Sequence, residues 1–201
     1  MEAYVYGHKR RLPPEFAEFF DRGRTAIVSI DMHQGHLADT PDCPCPAPRG
    51  REIVAPIDRF HRAARALRVP LIHVRTILRK GGIDDVKGLK SAWRLTFPLY
   101  VGPIPNADQH AIEGTRWLRN LDARVLVIDG AMTDCCVLNA TFEGSNLGYR
   151  IIVLQDLVRG TNEEMDGAAL KMVSLHLGIV MDSADLLAVW RGTEPSRAAA
   201  E

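Results

Sequence analysis

The stretch that most constrains the fold is Val125–Val137, which reads VLVIDGAMTDCCV. It begins with the short apolar run Val125–Ile128, and such a run is typical of a strand that is buried on both faces. Gly130 interrupts the run, and the threonine and aspartate that follow are common helix N-caps. We therefore predict a strand, a tight turn and then a helix that stops near Gly148.

Two adjacent cysteines, Cys135 and Cys136, fall in the first turn of that predicted helix. The free backbone N–H groups and the positive end of the helix dipole stabilise a thiolate here, and the same N–H groups can hold an oxyanion. A cysteine at this place is therefore a candidate nucleophile. The alternative is a buried cysteine that packs as a small apolar residue, and two neighbouring cysteines allow one of each.

The rest of the chain alternates apolar runs of strand length with segments of helical periodicity. Strands are predicted at 25–31 and 69–75 on either side of an amphipathic helix at 51–67, which makes a β–α–β unit with parallel strands. Further strands are predicted at 149–155 and 179–181. The fold class is therefore α/β, a three-layer, doubly wound, mostly parallel sheet with helices on both faces.

Length and charge limit the number of domains and the kinds of partner. The 201 residues predict an N-terminal arm at 1–23, a single domain at 24–191 and a flexible C-terminal tail at 192–201. Lys plus Arg and Asp plus Glu each number 25, so neither nucleic acid nor an anionic membrane is favoured as a partner. With no apolar signal core and no run long enough to span a bilayer, we expect a cytoplasmic protein.

The first predicted strand ends on Asp31, and ligands in open α/β sheets bind beyond the carboxyl ends of the strands. Asp31 is therefore a candidate functional residue, although an aspartate there can also simply cap the following loop. The loop at 32–50 carries side chains of metal-ligand types, namely His33, His36, Asp39, Asp42, Cys43 and Cys45. Its Cys-x-Cys lies between prolines and lacks a second Cys/His pair, so we predict no metal and a stiff rim of a pocket instead.

Four segments, in order, resemble the isochorismatase-like cysteine hydrolases. This superfamily includes nicotinamidases and N-carbamoylsarcosine and ureidoacrylate amidohydrolases. The segments are Thr25–Gln34, Val69–Val74, Asp129–Val137 and Gly148–Asp156. The Gly-x-x-Thr-Asp-x-Cys-Val pattern after a strand is the most specific of them. The resemblance implies the isochorismatase-like hydrolase fold for this chain.

The resemblance also implies an Asp–Lys–Cys catalytic triad. It assigns the aspartate to Asp31 and the nucleophile to Cys136, with Cys135 at a variable position. In the implied reaction Asp31 takes the thiol proton, the thiolate attacks an amide or ureide carbonyl, an amine leaves, and water cleaves the thioester. Backbone N–H groups near Met132 and Cys136 would form the oxyanion hole, and the Ala131–Met132 peptide bond would be cis.

The triad lysine has more than one candidate in this sequence. The family pattern Lys-x-x-x-Ser-Ala-Phe is matched most closely by Lys87–Trp93, an alignment that requires a long insertion after it. We take Lys87 as the candidate, with Lys90 as a second one. Another alignment leaves no equivalent lysine, and the chain would then be an impaired family member that binds or scaffolds a small molecule.

The resemblance favours a cofactor-free hydrolase of a C–N bond in a small amide, carbamoyl or ureide compound. A metal-dependent nicotinamidase fits less well, because that branch carries an Asp-x-His and a further His after the first strand, whereas this loop reads Asp42-Cys-Pro-Cys45. An isochorismatase that cleaves a vinyl ether fits less well too, because relatives with that activity generally lack the cysteine. Family members usually form dimers or tetramers, so we expect a homodimer or homotetramer.

Overall fold

The computed structural model describes residues 2–41, 43, 46–75 and 117–192. A seven-stranded sheet of order β2-β1-β7-β6-β5-β3-β4 forms its centre. The strands are β1 (Glu2–Val5), β2 (His8–Arg11), β3 (Thr25–Ile30), β4 (Leu71–Val74), β5 (Val125–Ala131), β6 (Arg150–Arg159) and β7 (Gly178–Met181). The five strands from β7 to β4 are parallel, whereas β1 pairs antiparallel with β7 and β2. The predicted α/β class with a mostly parallel sheet is confirmed.

Helices cover both faces of this sheet. The α-helices are α1 (Gln34–Leu37), α2 (Val54–Ala66), α3 (Leu138–Asn146), α4 (Glu163–Met172) and α5 (Ser183–Arg191). Short 3-10 segments occupy Pro14–Phe20, Arg22–Arg24 and Pro48–Ile53, and π-helical turns occupy Thr133–Val137 and Val173–Leu177. None of the helices in the described part of the chain is long and apolar enough to cross a membrane.

Alternate residues of the central strands point to opposite faces and build two apolar cores. Ile27 and Val127 belong to the core that also contains residues of α2 and α5. Their neighbours Val28 and Ile128 belong to the other core, which contains residues of the cysteine turn and α4. Burial on both faces explains why these strands read as continuous apolar runs rather than as alternating patterns.

The parallel register of β3 and β5 places the candidate residues beside one another. Ile30 lies opposite Gly130, so Asp31 follows β3 at the level where β5 enters the cysteine turn. Gly130 has a φ of +117°, and a Cβ added there would overlap the backbone of Ile30. Only glycine lets the two strand ends approach this closely without strain.

The N-terminal segment differs from the predicted arm. Glu2–Val5 and His8–Arg11 form a β-hairpin that extends the sheet through a pairing of Tyr4 with Val180. Pro14–Phe20 forms a 3-10 segment, and its three phenylalanines pack against the core. β1 alternates exposed and buried residues over only four positions, and β2 has no apolar residue, so the sequence carries little strand signal here.

Candidate active site

The turn that carries the two cysteines joins β5 to α3. The Ala131–Met132 peptide bond is cis, at the position that the resemblance predicts. Residues Thr133–Val137 then form one π-helical turn, and such turns frequently occur at functional sites. The backbone N–H groups of Cys135 and Val137 both donate to the Met132 carbonyl oxygen at 3.1 Å. The backbone around the cysteines is therefore fixed by its own hydrogen bonds.

Asp31 is held at the end of β3 by its backbone. Its N–H donates to the Val74 carbonyl at 2.8 Å, and its carbonyl accepts from the His33 N–H at 2.9 Å. Its φ of +53° lies in the left-handed region, which aspartate tolerates better than most residues. Only 1% of Asp31 is exposed. Because its carboxylate is buried, Asp31 does not fit the alternative of an exposed residue that only caps the following loop.

The structure brings Cys136 and Asp31 together. The Cys136 thiol donates to Cys135, with the two sulfur atoms 4.0 Å apart. This contact, burial, and hydrogen bonding and charge from the Asp31 carboxylate raise the pKa of Cys136, so at neutral pH its sulfur carries a proton. The sulfur–sulfur contact is weak at 4.0 Å. Burial and the Asp31 carboxylate continue to raise the pKa of Cys136 when the thiol rotates away from Cys135. The arrangement is that of a thiol beside a proton acceptor.

Cys135 differs from its neighbour in exposure and in chemistry. It is exposed, whereas Cys136 is partly buried. The hydrogen bond from Cys136 lowers the pKa of Cys135 to about 7, against the opposing effects of burial and of nearby carboxylates. Both thiols are therefore chemically relevant, but the one that contacts the Asp31 carboxylate is Cys136.

Two histidines of the loop after β3 flank the Asp31 carboxylate. The Nε2 atom of His33 is 3.7 Å from Oδ1, and the Nε2 atom of His36 is 3.7 Å from Oδ2. The two rings are tilted with centroids 4.7 Å apart. One ligand-type atom from each of the three side chains lies within 4.8 Å of the others, a spacing that would permit a metal ion. The sequence marked both histidines only as part of a longer loop and did not place them on Asp31.

The other metal-ligand types of this loop serve different contacts. The thiol of Cys43 is buried and donates to the Gly35 carbonyl at 3.3 Å. Asp39 pairs with Arg51 at 2.8 Å. Asp42 and Cys45 lie outside the described residues. In the described part of the loop, Cys43 and Asp39 are therefore not joined to the group around Asp31.

A polar network that the sequence did not indicate supports the cysteine turn from the side of α4. Asp134, next to the cysteines, accepts from the Thr161 N–H at 3.0 Å. Asp166 accepts from the Gly160 N–H at 2.6 Å and from the Arg49 guanidinium, also at 2.6 Å. These contacts connect the turn to the end of β6 and to the segment before α2.

A second buried pair lies one residue before Gly130. Asp129 Oδ2 and His61 Nε2 are 2.8 Å apart, and both side chains are almost fully buried. Burial, reinforced by the neighbouring His61, lowers the pKa of His73, while Asp129 acts in the opposite direction. A single charged residue inside the apolar run of β5 was the signal for this pair, but its partner lies 68 residues away in sequence.

Two parts of the predicted site are not tested by this structure. Lys87 and Lys90 both lie outside the described residues. The predicted oxyanion hole, formed by backbone N–H groups near Met132 and Cys136 beside the Ala131–Met132 turn, stays a prediction. The structure therefore describes the thiol and the carboxylate of the implied triad.

Comparisons with known proteins found a family model and several solved structures that are similar to this chain. Residues 113–185 match the family model of the isochorismatase domain. A cysteine hydrolase from Pseudomonas syringae pv. phaseolicola 1448A has 19% identity and a TM-score of 0.70, over 86% of this chain and 94% of that one. An isochorismatase-like hydrolase from Alkaliphilus metalliredigens has 21% identity and a TM-score of 0.65, over 83% and 99%. The nicotinamidase SaPncA from Staphylococcus aureus has 19% identity and a TM-score of 0.54, over 80% and 99%.

No curated protein matches this sequence. The structural likeness covers nearly the whole length of each of those three proteins and establishes the fold. The family match covers the cysteine turn, α3, β6 and α4. Residues 113–185 therefore resemble the isochorismatase domain, and the chain as a whole shares the fold of these hydrolase structures.

Proposed function

We propose that this protein is a cysteine-dependent hydrolase of a non-peptide C–N bond in a small amide, carbamoyl or ureide compound. The observation that carries the proposal is the contact between the Cys136 thiol and the buried Asp31 carboxylate, at the carboxyl ends of adjacent parallel strands. A thiol with a raised pKa needs a base before it can attack a carbonyl, and Asp31 occupies that position.

The proposed reaction begins when Asp31 accepts the proton of the Cys136 thiol. The sulfur attacks the carbonyl carbon, and the C–N bond breaks as Asp31 returns the proton to the leaving nitrogen. The products of this half-reaction are a thioester on Cys136 and a free amine or ammonia. Asp31 then takes a proton from water, the hydroxide attacks the thioester, and the sulfur leaves with that proton.

Two predicted contributions to this reaction come from the family resemblance. Backbone N–H groups of Met132 and Cys136 would stabilise the oxyanion, because they lie at a helix start, where such groups have no intrahelical partner. Lys87 is the proposed cation that lowers the energy of the thiolate. We also propose that the chain acts on its small-molecule substrate as a homodimer or homotetramer. Light scattering would measure the mass of this assembly.

The test is hydrolysis of a panel of primary amides, N-carbamoyl compounds and ureides, followed by ammonia release and mass spectrometry. We expect Cys136→Ala to abolish turnover and Asp31→Asn to reduce it by about a thousandfold or more, since both remove a reacting group. An acyl adduct on Cys136 during turnover would support the thioester.

Cys135→Ala is the matched control, because it removes the adjacent sulfur without touching the proposed nucleophile. It should retain most of the activity. Full activity in Cys136→Ala would contradict the mechanism. A folded protein that hydrolyses nothing in the panel and forms no adduct would favour an impaired, ligand-binding family member instead.

A further inference from the structure

The orientation of His33 assigns the position of its proton. Its Nδ1 atom accepts a hydrogen bond from the Gly35 backbone N–H at 3.1 Å. A neutral imidazole carries one proton, so when Nδ1 accepts, the proton is on Nε2. The Nε2 atom is buried and makes no hydrogen bond with any residue that the structure describes. It is also the atom that lies 3.7 Å from Asp31 Oδ1. The ring therefore presents an N–H group toward the carboxylate.

The same hydrogen bond argues against His33 as a metal ligand, although the spacing around Asp31 would permit an ion. A metal-bound histidine coordinates through a nitrogen that carries no proton, and its other nitrogen usually donates an N–H to an acceptor. In His33 the second nitrogen meets a donor, the Gly35 N–H, rather than an acceptor. The local backbone thus favours a protonated Nε2 and disfavours coordination at that atom.

We propose that His33 is a positioning residue for Asp31, whose Nε2–H group keeps the buried carboxylate ionised and oriented toward the Cys136 thiol. This inference rests on the proposed function, in which Asp31 accepts the thiol proton. A buried carboxylate without a donor tends to take up a proton from water, and it could then no longer act as a base. The His33 Nε2–H group opposes this protonation because it interacts favourably with the ionised Asp31 carboxylate.

The distance is compatible with this role. At 3.7 Å the His33–Asp31 contact is longer than a hydrogen bond, and a closure of about 0.8 Å would bring it to the usual N–H···O distance. Catalytic hydrogen bonds are often long without substrate and tighten in the complex. Titratable groups that face Asp31 include His33 and His36 from the loop after β3 and the two thiols of the cysteine turn.

The first experiment reads the tautomer directly. Nitrogen-15 NMR of the histidine-labelled full chain distinguishes a protonated from an unprotonated ring nitrogen. We expect His33 to carry its proton on Nε2 and none on Nδ1 when the ring is neutral. A neutral ring with the proton on Nδ1 would overturn the proposal, because Nε2 would then have nothing to donate.

The second experiment measures the consequence for Cys136 without knowledge of the substrate. In a Cys135→Ser background, the rate of Cys136 alkylation by iodoacetamide is followed by peptide mass spectrometry against pH. Removal of a donor to the carboxylate disfavours its charged form and raises the pH at which Asp31 ionises. His33→Ala should therefore move the acid limb of the profile upward by about one pH unit and slow alkylation roughly tenfold below that limb.

His33→Gln supplies an amide N–H in place of the imidazole and should restore most of the rate. His8→Ala changes an exposed histidine on β2 and should leave the profile unchanged. Thermal unfolding of each variant shows whether it is folded. If His33→Ala keeps the parent profile, or if His33→Gln shows the same loss as His33→Ala, the proposal fails.

Two further measurements distinguish a failure of the His33 role from a failure of the proposed function. If the acid limb of the Cys136 profile lies at the same pH in Asp31→Asn as in the parent, Asp31 is not the acceptor, and the proposed function fails together with the role of His33. If the limb moves in Asp31→Asn but not in His33→Ala, only the role of His33 fails. Stoichiometric Zn²⁺ binding, measured by calorimetry and lost in His33→Ala, would make His33 a metal ligand and would also overturn the proposal.

Discussion

The buried pair of His61 and Asp129 should contribute strongly to the stability of the fold. His61 Nε2 and Asp129 Oδ2 are 2.8 Å apart, and the two side chains are 6% and 0% exposed. His61→Leu would leave the Asp129 carboxylate buried without this partner. Its other oxygen makes no hydrogen bond within the described part of the chain, so little remains to compensate. Loss of one member of such a pair typically costs about 3–5 kcal/mol.

The assay is urea unfolding followed by circular dichroism. If the urea dependence of the unfolding free energy is about 2 kcal/mol per molar, a loss of about 4 kcal/mol lowers the midpoint by about 2 M. The double variant His61→Leu with Asp129→Val replaces the pair by apolar side chains. It should be less destabilised than the sum of the two single variants, with a coupling of about 1–3 kcal/mol.

Arg62→Ala provides the control on the same helix. Arg62 and Asp58 form an ion pair at 2.9 Å, but their side chains are 76% and 53% exposed. We expect this change to cost less than about 1 kcal/mol, because exposed pairs are screened by water. A cost for His61→Leu no larger than that of Arg62→Ala, or strictly additive single variants, would refute the argument that burial makes the His61–Asp129 pair important.

Four other changes test the backbone and the thiols. Gly130→Ala should cost about 3 kcal/mol or more in unfolding free energy, because the new Cβ overlaps the end of β3 and φ is positive. Gly148→Ala also has a positive φ, but its Cβ meets open space, so it should cost only about 1 kcal/mol. Gly167→Ala, on the exposed side of α4 with no neighbour within 4 Å, should raise the unfolding free energy by about 0.5–1 kcal/mol. Iodoacetamide should alkylate Cys135 with a midpoint near its pKa of about 7, since the thiolate reacts, and Cys136→Ala should move that midpoint upward by removing the donor. A midpoint that stays in place would show that another group lowers the pKa.

Local sequence patterns predicted the elements around the site because those elements are determined by short-range forces. The apolar run and the glycine after it correctly predicted β5 and the turn that follows. The prediction of Thr133 or Asp134 as N-cap was wrong, because the turn begins after Met132 and no side chain caps it. Gly148 follows α3 with a φ of +85°, as a helix stop requires. The ends were less accurate, since β6 continues to Arg159 through Asp156, where the sequence suggested that it stops.

The hairpin β1–β2 shows where local patterns fail. β1 is only four residues long, with Ala3 and Val5 buried between exposed residues, and β2 consists of exposed histidine, lysine and arginine residues. What stabilises β1 is its pairing with β7 at the other end of the chain, where Tyr4 lies opposite Val180. Tertiary pairing can override weak local preference, so the sequence indicated an arm there rather than a strand.

By itself, the sequence determined that a cysteine lies at the start of a helix after a buried strand, and that an aspartate ends another such strand. Tertiary structure decided which side chains meet. The parallel register of β3 and β5 brings Asp31 to Cys136, the loop after β3 folds His33 back onto Asp31, and α2 delivers His61 to Asp129. The physical reason is the range of the interactions: hydrophobic periodicity and capping act over a few residues, whereas contacts between charged groups depend on strand order, register and packing across the whole sheet.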